Sequence, residues 1–203
     1  MDKHIELPMQ LREAELQPTS FNDADNTIDV IFTTGATVRR RSWVDGHYDE
    51  ELVVSSNSVR LERLNAGGPF LNAHGQWSLE DVIGSCVPGS ARIEGGKGLA
   101  KIKLSPAPSD ADTVLKIKTG IIRNISVGYI SHVIEKQERD GSPPLWRITD
   151  WEPFEISAVP APADAGCQIR SDQEGKYRAL IRYESARVRI ARTRMMMAQR
   201  AIR

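Results

Sequence analysis

The chain carries a histidine, a serine and an acid in segments whose composition can do chemistry: Leu71-Asn72-Ala73-His74, Asn124-Ile125-Ser126-Val127-Gly128-Tyr129, and Phe154-Glu155-Ile156-Ser157-Ala158-Val159-Pro160. An imidazole, a hydroxyl and a carboxylate are the base, nucleophile and orienting group of acyl transfer. The chain order His, Ser, Glu differs from the orders of the chymotrypsin-like, subtilisin-like and α/β-hydrolase triads.

The elements that must hold these groups read mostly as short strands. Ile28 to Phe32 is a β-branched apolar run, and Val38 to Trp43 alternates weakly. Val59-Arg60-Leu61-Glu62-Arg63-Leu64 alternates apolar and charged residues with period two, which predicts a half-buried strand. Ala66-Gly67-Gly68-Pro69 breaks the chain, and Phe70-Leu71 leads to His74. Ala91 to Glu94, Gly95-Gly96 and Leu99 to Leu104 read as a hairpin. Ser109-Asp110-Ala111-Asp112 opens a helix with Ser109 as cap, Val114, Leu115 and Ile117 inward, and Gly120 at its end. Ile122 to Ile134 is a long strand, Asp140 to Pro144 a turn, and Trp146 to Ile148 and Phe154 to Val159 the last strands. Many short strands and one internal helix predict a mainly β fold with helices (α+β), as a small antiparallel barrel or curled sheet.

Period two puts Ile125, Val127 and Tyr129 on the core face and Asn124, Ser126 and Gly128 on the other, with Gly128 leaving space for a substrate backbone. A serine hydroxyl needs a base within hydrogen-bond reach. His132 lies six residues further along the same strand, roughly 20 Å away at about 3.3 Å per residue. His4 and His47 lie in polar, loop-like contexts, which leaves His74 as the best base. Glu155, between Phe154 and Ile156, points away from the apolar face of its strand, and Asp150 is the competing third member. The ordinary readings are a ladder serine, a non-catalytic histidine and a solvent-facing glutamate, and residue chemistry alone does not displace them.

Bulk properties narrow the classes. The 203 residues are 40% hydrophobic with zero formal net charge, enough for a core. The charge is uneven: residues 170–203 hold ten Lys/Arg against three Asp/Glu, leaving seventeen against twenty-four before them. Cys86 and Cys167 form no CxxC pair and have no histidine at metal-ligand spacing, so they read as free thiols in a reducing compartment. The start, Met1-Asp2-Lys3-His4-Ile5-Glu6, shows no apolar signal region, and no apolar run approaches the about 18 residues of a membrane span. The division expected is a polar leader at 1–27, a β domain at 28–168 and a basic helical tail or linker at 169–203.

The ordered set His74, Val82-Ile83-Gly84, Gly98-Leu99 to Leu104, Ile125-Ser126-Val127-Gly128-Tyr129 and Glu155-Ile156-Ser157-Ala158-Val159-Pro160-Ala161-Pro162-Ala163 resembles the prohead (head-maturation) serine proteases of tailed bacteriophages, which are related in fold to the herpesvirus assemblins. The likeness runs over about residues 28 to 165. Two departures, the Ala66–Leu71 approach and the Pro-rich Pro160–Asp164 turn, bear on the substrate groove. The resemblance implies a barrel of the prohead protease type, Ser126 as nucleophile, His74 as general base and Glu155 as third member, the last position being the least fixed because relatives use Asp or His there. It also implies a serine endopeptidase active in capsid maturation and virion assembly. Its substrates would be the major capsid protein, the scaffold protein and itself, inside an assembling procapsid in the host cytoplasm. No cofactor or metal is expected, nor a membrane. A homo-oligomer is compatible with the reading.

The basic tail would dock on acidic scaffold or capsid surfaces, act as an autocleaved extension or linker to scaffold, or be a plain solvated helix. Its few aromatics, Tyr177 and Tyr183, argue against nucleic acid. The rival to the protease reading is a non-catalytic capsid assembly or scaffold-binding protein of the same fold; a weaker third is a β-barrel that binds nucleic acid through the tail.

Overall fold

The computed structural model describes residues 3–8, 10–16, 21–42, 46–160 and 176–183. The strands are β1 (Lys3–Pro8), β2 (Gln10–Leu16), β3 (Thr27–Thr33), β4 (Val38–Ser42), β5 (Gly46–Leu52), β6 (Pro69–Asn72), β7 (Val82–Cys86), β8 (Arg92–Glu94), β9 (Lys97–Leu104), β10 (Asn124–Arg139), β11 (Ser142–Val159) and β12 (Lys176–Tyr183). Two helices interrupt them, α1 (Glu62–Asn65) and α2 (Ala111–Lys118). The protein is mainly β, as the alternating stretches predict.

All the strands join one sheet in the order β1-β12-β10-β2-β3-β9-β7-β6-β11-β5-β4, with β8 on β9 and a further pairing of β10 with β11. The order ends in open edges at β1 and β4, and β10–β12, β11–β5 and β11–β6 are parallel. The sheet is thus mixed where a small antiparallel barrel is expected; the pairing of β10 with β11 links the two ends of the run β10-β2-β3-β9-β7-β6-β11, and among the described residues β1 and β4 lie at its edges. The longest strands, β10 and β11, form an antiparallel ribbon turned at Gly141, where φ is +69°. Glycine occupies that left-handed conformation without a Cβ penalty.

The hydrophobic effect explains the packing of this sheet. Apolar side chains at alternate positions of β3, β9 and β10 bring Ile28, Val30, Phe32, Ile102, Leu104, Ile125, Val127 and Tyr129 into one core with Phe70, Leu64, Trp151 and Ile156. The helix at α2 buries Val114 and Ile117, but Leu115 is exposed. At one hundred degrees per residue Leu115 cannot share the face that its two neighbours occupy. The expected cap Ser109 lies instead in a 3-10 turn over Pro108–Asp110, and Asp110 takes the cap position.

Three further expectations give way. Val59–Leu64 is no strand: Val59 makes one bridge to Trp151, after which Asn65 N–H donates to Leu61 O and Ala66 N–H to Glu62 O, closing a helical turn that buries Leu64. Within the polar leader, 3–8 and 10–16 are strands of the main sheet; β2 pairs with β10 and β3. The basic helix expected from Tyr177 onward is, over Lys176–Tyr183, a strand between β1 and β10 that buries Ala179 and Ile181. Period two in Ala179 and Ile181, with β-sheet partners on both edges, outweighs helix propensity there. Residues 184–203, Cys167 and Ala161-Pro162-Ala163 lie outside the described residues. No helix among the described residues is long and apolar enough to cross a membrane.

Candidate active site

Ser126 is the third residue of β10, in the stretch where that strand is paired on both sides, with β11 and with β2. Its register partner on β11 is Ser157, and Gly128 faces Glu155. Directly opposed residues of an antiparallel pair project to the same side with Cβ atoms about 4.5–5.5 Å apart. Ser126, Ser157 and Glu155 therefore share one face, while Ile125, Val127 and Tyr129 fill the core on the other. Ser126 is itself almost wholly buried.

His74 reaches this face by a different route. The parallel pairing of β6 with β11 matches Leu71 to Ser157 and Asn72 to Ala158, and Ala73 N–H extends it by donating to Ala158 O at 2.9 Å. The chain then reverses. Gly75 N–H donates to Asn72 O at 2.9 Å, and the two residues between have φ of +48° (Ala73) and +62° (His74). Two successive left-handed residues are the pattern of a type I′ turn, which normally uses Gly, Asn or Asp. Here Ala and His hold it, and the reversal brings the imidazole back along β11. Gly75 is needed for closure, because a Cβ there would lie 2.5 Å from Asp81 Cγ. Asp81 in turn accepts from Trp77 N–H and Ser78 N–H, which ties down the loop after the histidine.

The result is a direct contact. His74 Nδ1 lies 2.7 Å from Glu155 Oε1, with the imidazole 14% exposed and the carboxylate fully buried. An ionised carboxylate only accepts, so a neutral imidazole facing it would hold its proton on Nδ1 and leave Nε2 as the acceptor. Glu155 Oε2 accepts from the Ser157 hydroxyl, and the same Ser157 Oγ accepts His74 N–H at 3.3 Å.

Gly128 has a different use from the one expected. A Cβ at Gly128 would meet Glu155 Oε1 at 2.4 Å, so the space beside Ser126 is filled by the carboxylate and is not open to a substrate backbone. A small residue at 128 is the condition for the acid to lie against β10.

The remaining candidates lie elsewhere. Asp150 is held by Arg60 through two hydrogen bonds of 2.7 and 2.6 Å, and that pairing raises the Arg60 guanidinium above its ordinary value. His132 Nε2 is 3.5 Å from Glu152 Oε2. His47 sits on β5 opposite Arg41, a strand where a loop was expected, and His4 is exposed on β1. No cluster of three or more metal-ligating side chains occurs among the described residues. Cys86 is buried, which pushes its thiol up to about 12.

Neither Ser157 nor the turn at Ala73-His74 stands out in the sequence as part of the site. Period two from Glu155 already places Ser157 on the same face, and Gly128 two residues from Ser126 marked a close approach.

Residues 71–178 match the family described as caudovirus prohead serine protease. A stretch of 116 residues is 30% identical to a protein named major capsid protein from Halomonas phage phiHAP-1, covering 57% of this chain and 19% of that one. The chain thus corresponds to about a fifth of that relative's length. No solved structure matches.

Proposed function

The chain belongs to the caudovirus prohead serine protease family, and we propose that it is a serine endopeptidase of capsid maturation with Ser126 as nucleophile, His74 as general base and Glu155 as the orienting acid. The observation that carries the reading is the His74 Nδ1–Glu155 Oε1 contact of 2.7 Å, on the face that Ser126 shares. Glu155 holds the imidazole with its proton on Nδ1 and stabilises the imidazolium that forms. His74 Nε2 takes the Ser126 proton as Ser126 Oγ attacks a peptide carbonyl. The imidazolium then gives that proton to the leaving amine. Water, deprotonated by His74, hydrolyses the acyl-enzyme and regenerates Ser126. Nothing in this sequence of proton transfers calls for a cofactor.

The substrates proposed are the major capsid protein, a scaffold protein and the chain itself, cleaved inside the procapsid. The likeness to a protein named major capsid protein supports a capsid partner. The same likeness favours a second reading, a capsid assembly protein that does not cleave.

One experiment separates the two. The chain is co-expressed with a capsid precursor and masses are followed for the parent and Ser126→Ala. Trimming in the parent alone is expected. Trimming in both, or in neither, removes the enzyme reading and leaves the assembly role.

A further inference from the structure

We propose that Ser157 is a positioning residue of this site, a single hydroxyl that locks acid and base to each other. The inference rests on the protease reading for its kinetic consequence, but its geometry stands alone. Ser157 is fully buried on β11, directly opposite Ser126. Its Oγ donates to Glu155 Oε2 and accepts the backbone N–H of His74 at 3.3 Å.

These two bonds address the two freedoms that the His74–Glu155 contact leaves. A carboxylate bound at Oε1 alone can rotate about its terminal torsion, which is soft. Fixing Oε2 removes that rotation, and donation to an ionised oxygen is the stronger kind of hydrogen bond. His74 sits at φ +62°, outside the preferred backbone region. Such a conformation persists only where its surroundings over-determine it. The bond from His74 N–H to Ser157 Oγ supplies part of that constraint. Ser157 therefore fixes the ring's backbone and the ring's partner from one atom, and acts on catalysis through both without touching substrate. Of the other titratable groups packed here, Asp81 is engaged with Trp77 and Ser78 N–H groups.

The test uses the full chain in two arms. In a Ser126→Ala background, the nitrogen-15 shifts of the His74 ring report its tautomer. Ser157→Ala is expected to replace one well-defined Nδ1–H form by averaged shifts, and Ser157→Thr, which restores a hydroxyl, to recover it. With Ser126 intact and purified capsid precursor as substrate, Ser157→Ala is expected to lower kcat about ten- to a hundredfold, the effect of losing one hydrogen bond to a charged group. KM should change less than about twofold, because the residue is not part of substrate binding. Where the threonine methyl prevents folding, Ser157→Cys serves, with an intermediate rate expected from its weaker donor. An unchanged tautomer and unchanged kcat in folded Ser157→Ala would overturn the inference. Absence of cleavage by the parent would instead overturn the protease reading, and the nitrogen-15 arm would still decide on the tether.

Discussion

Gly128→Ala tests the site with one added carbon. Its Cβ would lie 2.4 Å from Glu155 Oε1 and 3.1 Å from Cγ and Cδ, where ordinary contact begins near 3.4 Å. The carboxylate must retreat by roughly 1 Å. Most side-chain ends could do this cheaply, but Glu155 is fully buried and bound at both oxygens. A shift of that size breaks the geometry of the 2.7 Å bond to His74 or of the bond from Ser157. A misplacement of about 1 Å costs about a hundredfold in rate. Complete loss of the acid's service costs about ten-thousandfold in a related triad. Gly128→Ala should accordingly lower kcat/KM on purified capsid precursor by a factor between these, about 2.7–5.4 kcal/mol of transition-state stabilisation. Circular dichroism and a urea melt check that the variant is folded. In a Glu155→Ala background, the same substitution should do almost nothing further, since the group it displaces is gone. Gly84→Ala supplies the contrast: its Cβ would strike the Lys103 carbonyl oxygen at 2.5 Å, so it should cost stability through β7–β9 pairing. Wild-type kcat/KM in folded Gly128→Ala would refute the reasoning.

Three further outcomes are expected. Ala73→Gly relieves a left-handed alanine and should raise stability by up to about 1 kcal/mol in urea unfolding; if the strain serves positioning, kcat falls as the turn loosens. Glu50 is fully buried, accepts from Tyr129 Oη and lies 3.3 Å from Arg40 Nε, so Glu50→Ala, which takes the acceptor from a buried phenol and a counter-charge from a half-buried guanidinium, should cost about 1–3 kcal/mol by the same measurement. With Cys167 replaced by serine, the Cys86 thiol, at about 12, should alkylate at pH 8 about a thousandfold more slowly than a free thiol, and at the ordinary rate once denatured.

How far the sequence was legible follows the range of the forces involved. Where apolar residues recur at every second position, as at Ile28, Val30 and Phe32 or at Ile125, Val127 and Tyr129, the strands appear where the pattern puts them. Gly95-Gly96 turns the β8–β9 hairpin, both residues having positive φ. Val59–Leu64 shows the same alternation, yet local carbonyl-to-amide bonds and burial of Leu64 make a helical turn. Alternation over six residues is compatible with either outcome. Lys176–Tyr183 reads as helix because its sheet partners, β1 and β10, are distant in sequence and no local pattern announces them. At the site, residue types put forward His74, Ser126 and Glu155 with Asp150 as competing acid, and the likeness to the prohead proteases is what chooses among them. The contact between two of them depends on the parallel register of β6 on β11 and on a left-handed turn built without glycine at its centre. Neither has a signature in composition. Gly128 was legible as a close approach but not as to what approaches it.

Ser126 and Glu155 lie on opposite arms of one ribbon, and only its turn at Asp140-Gly141 joins them. A single residue inserted in either arm beside the site must either shift this pairing or be absorbed as a bulge, as at the four irregularities the ribbon has between Gly128 and Arg139. The turn carries no such burden, because register is already determined below it. A reporter or affinity tag spliced between Asp140 and Ser142 should leave Ser126 and Glu155 in step, which makes the far tip of the ribbon the natural handle for purifying or imaging the protein.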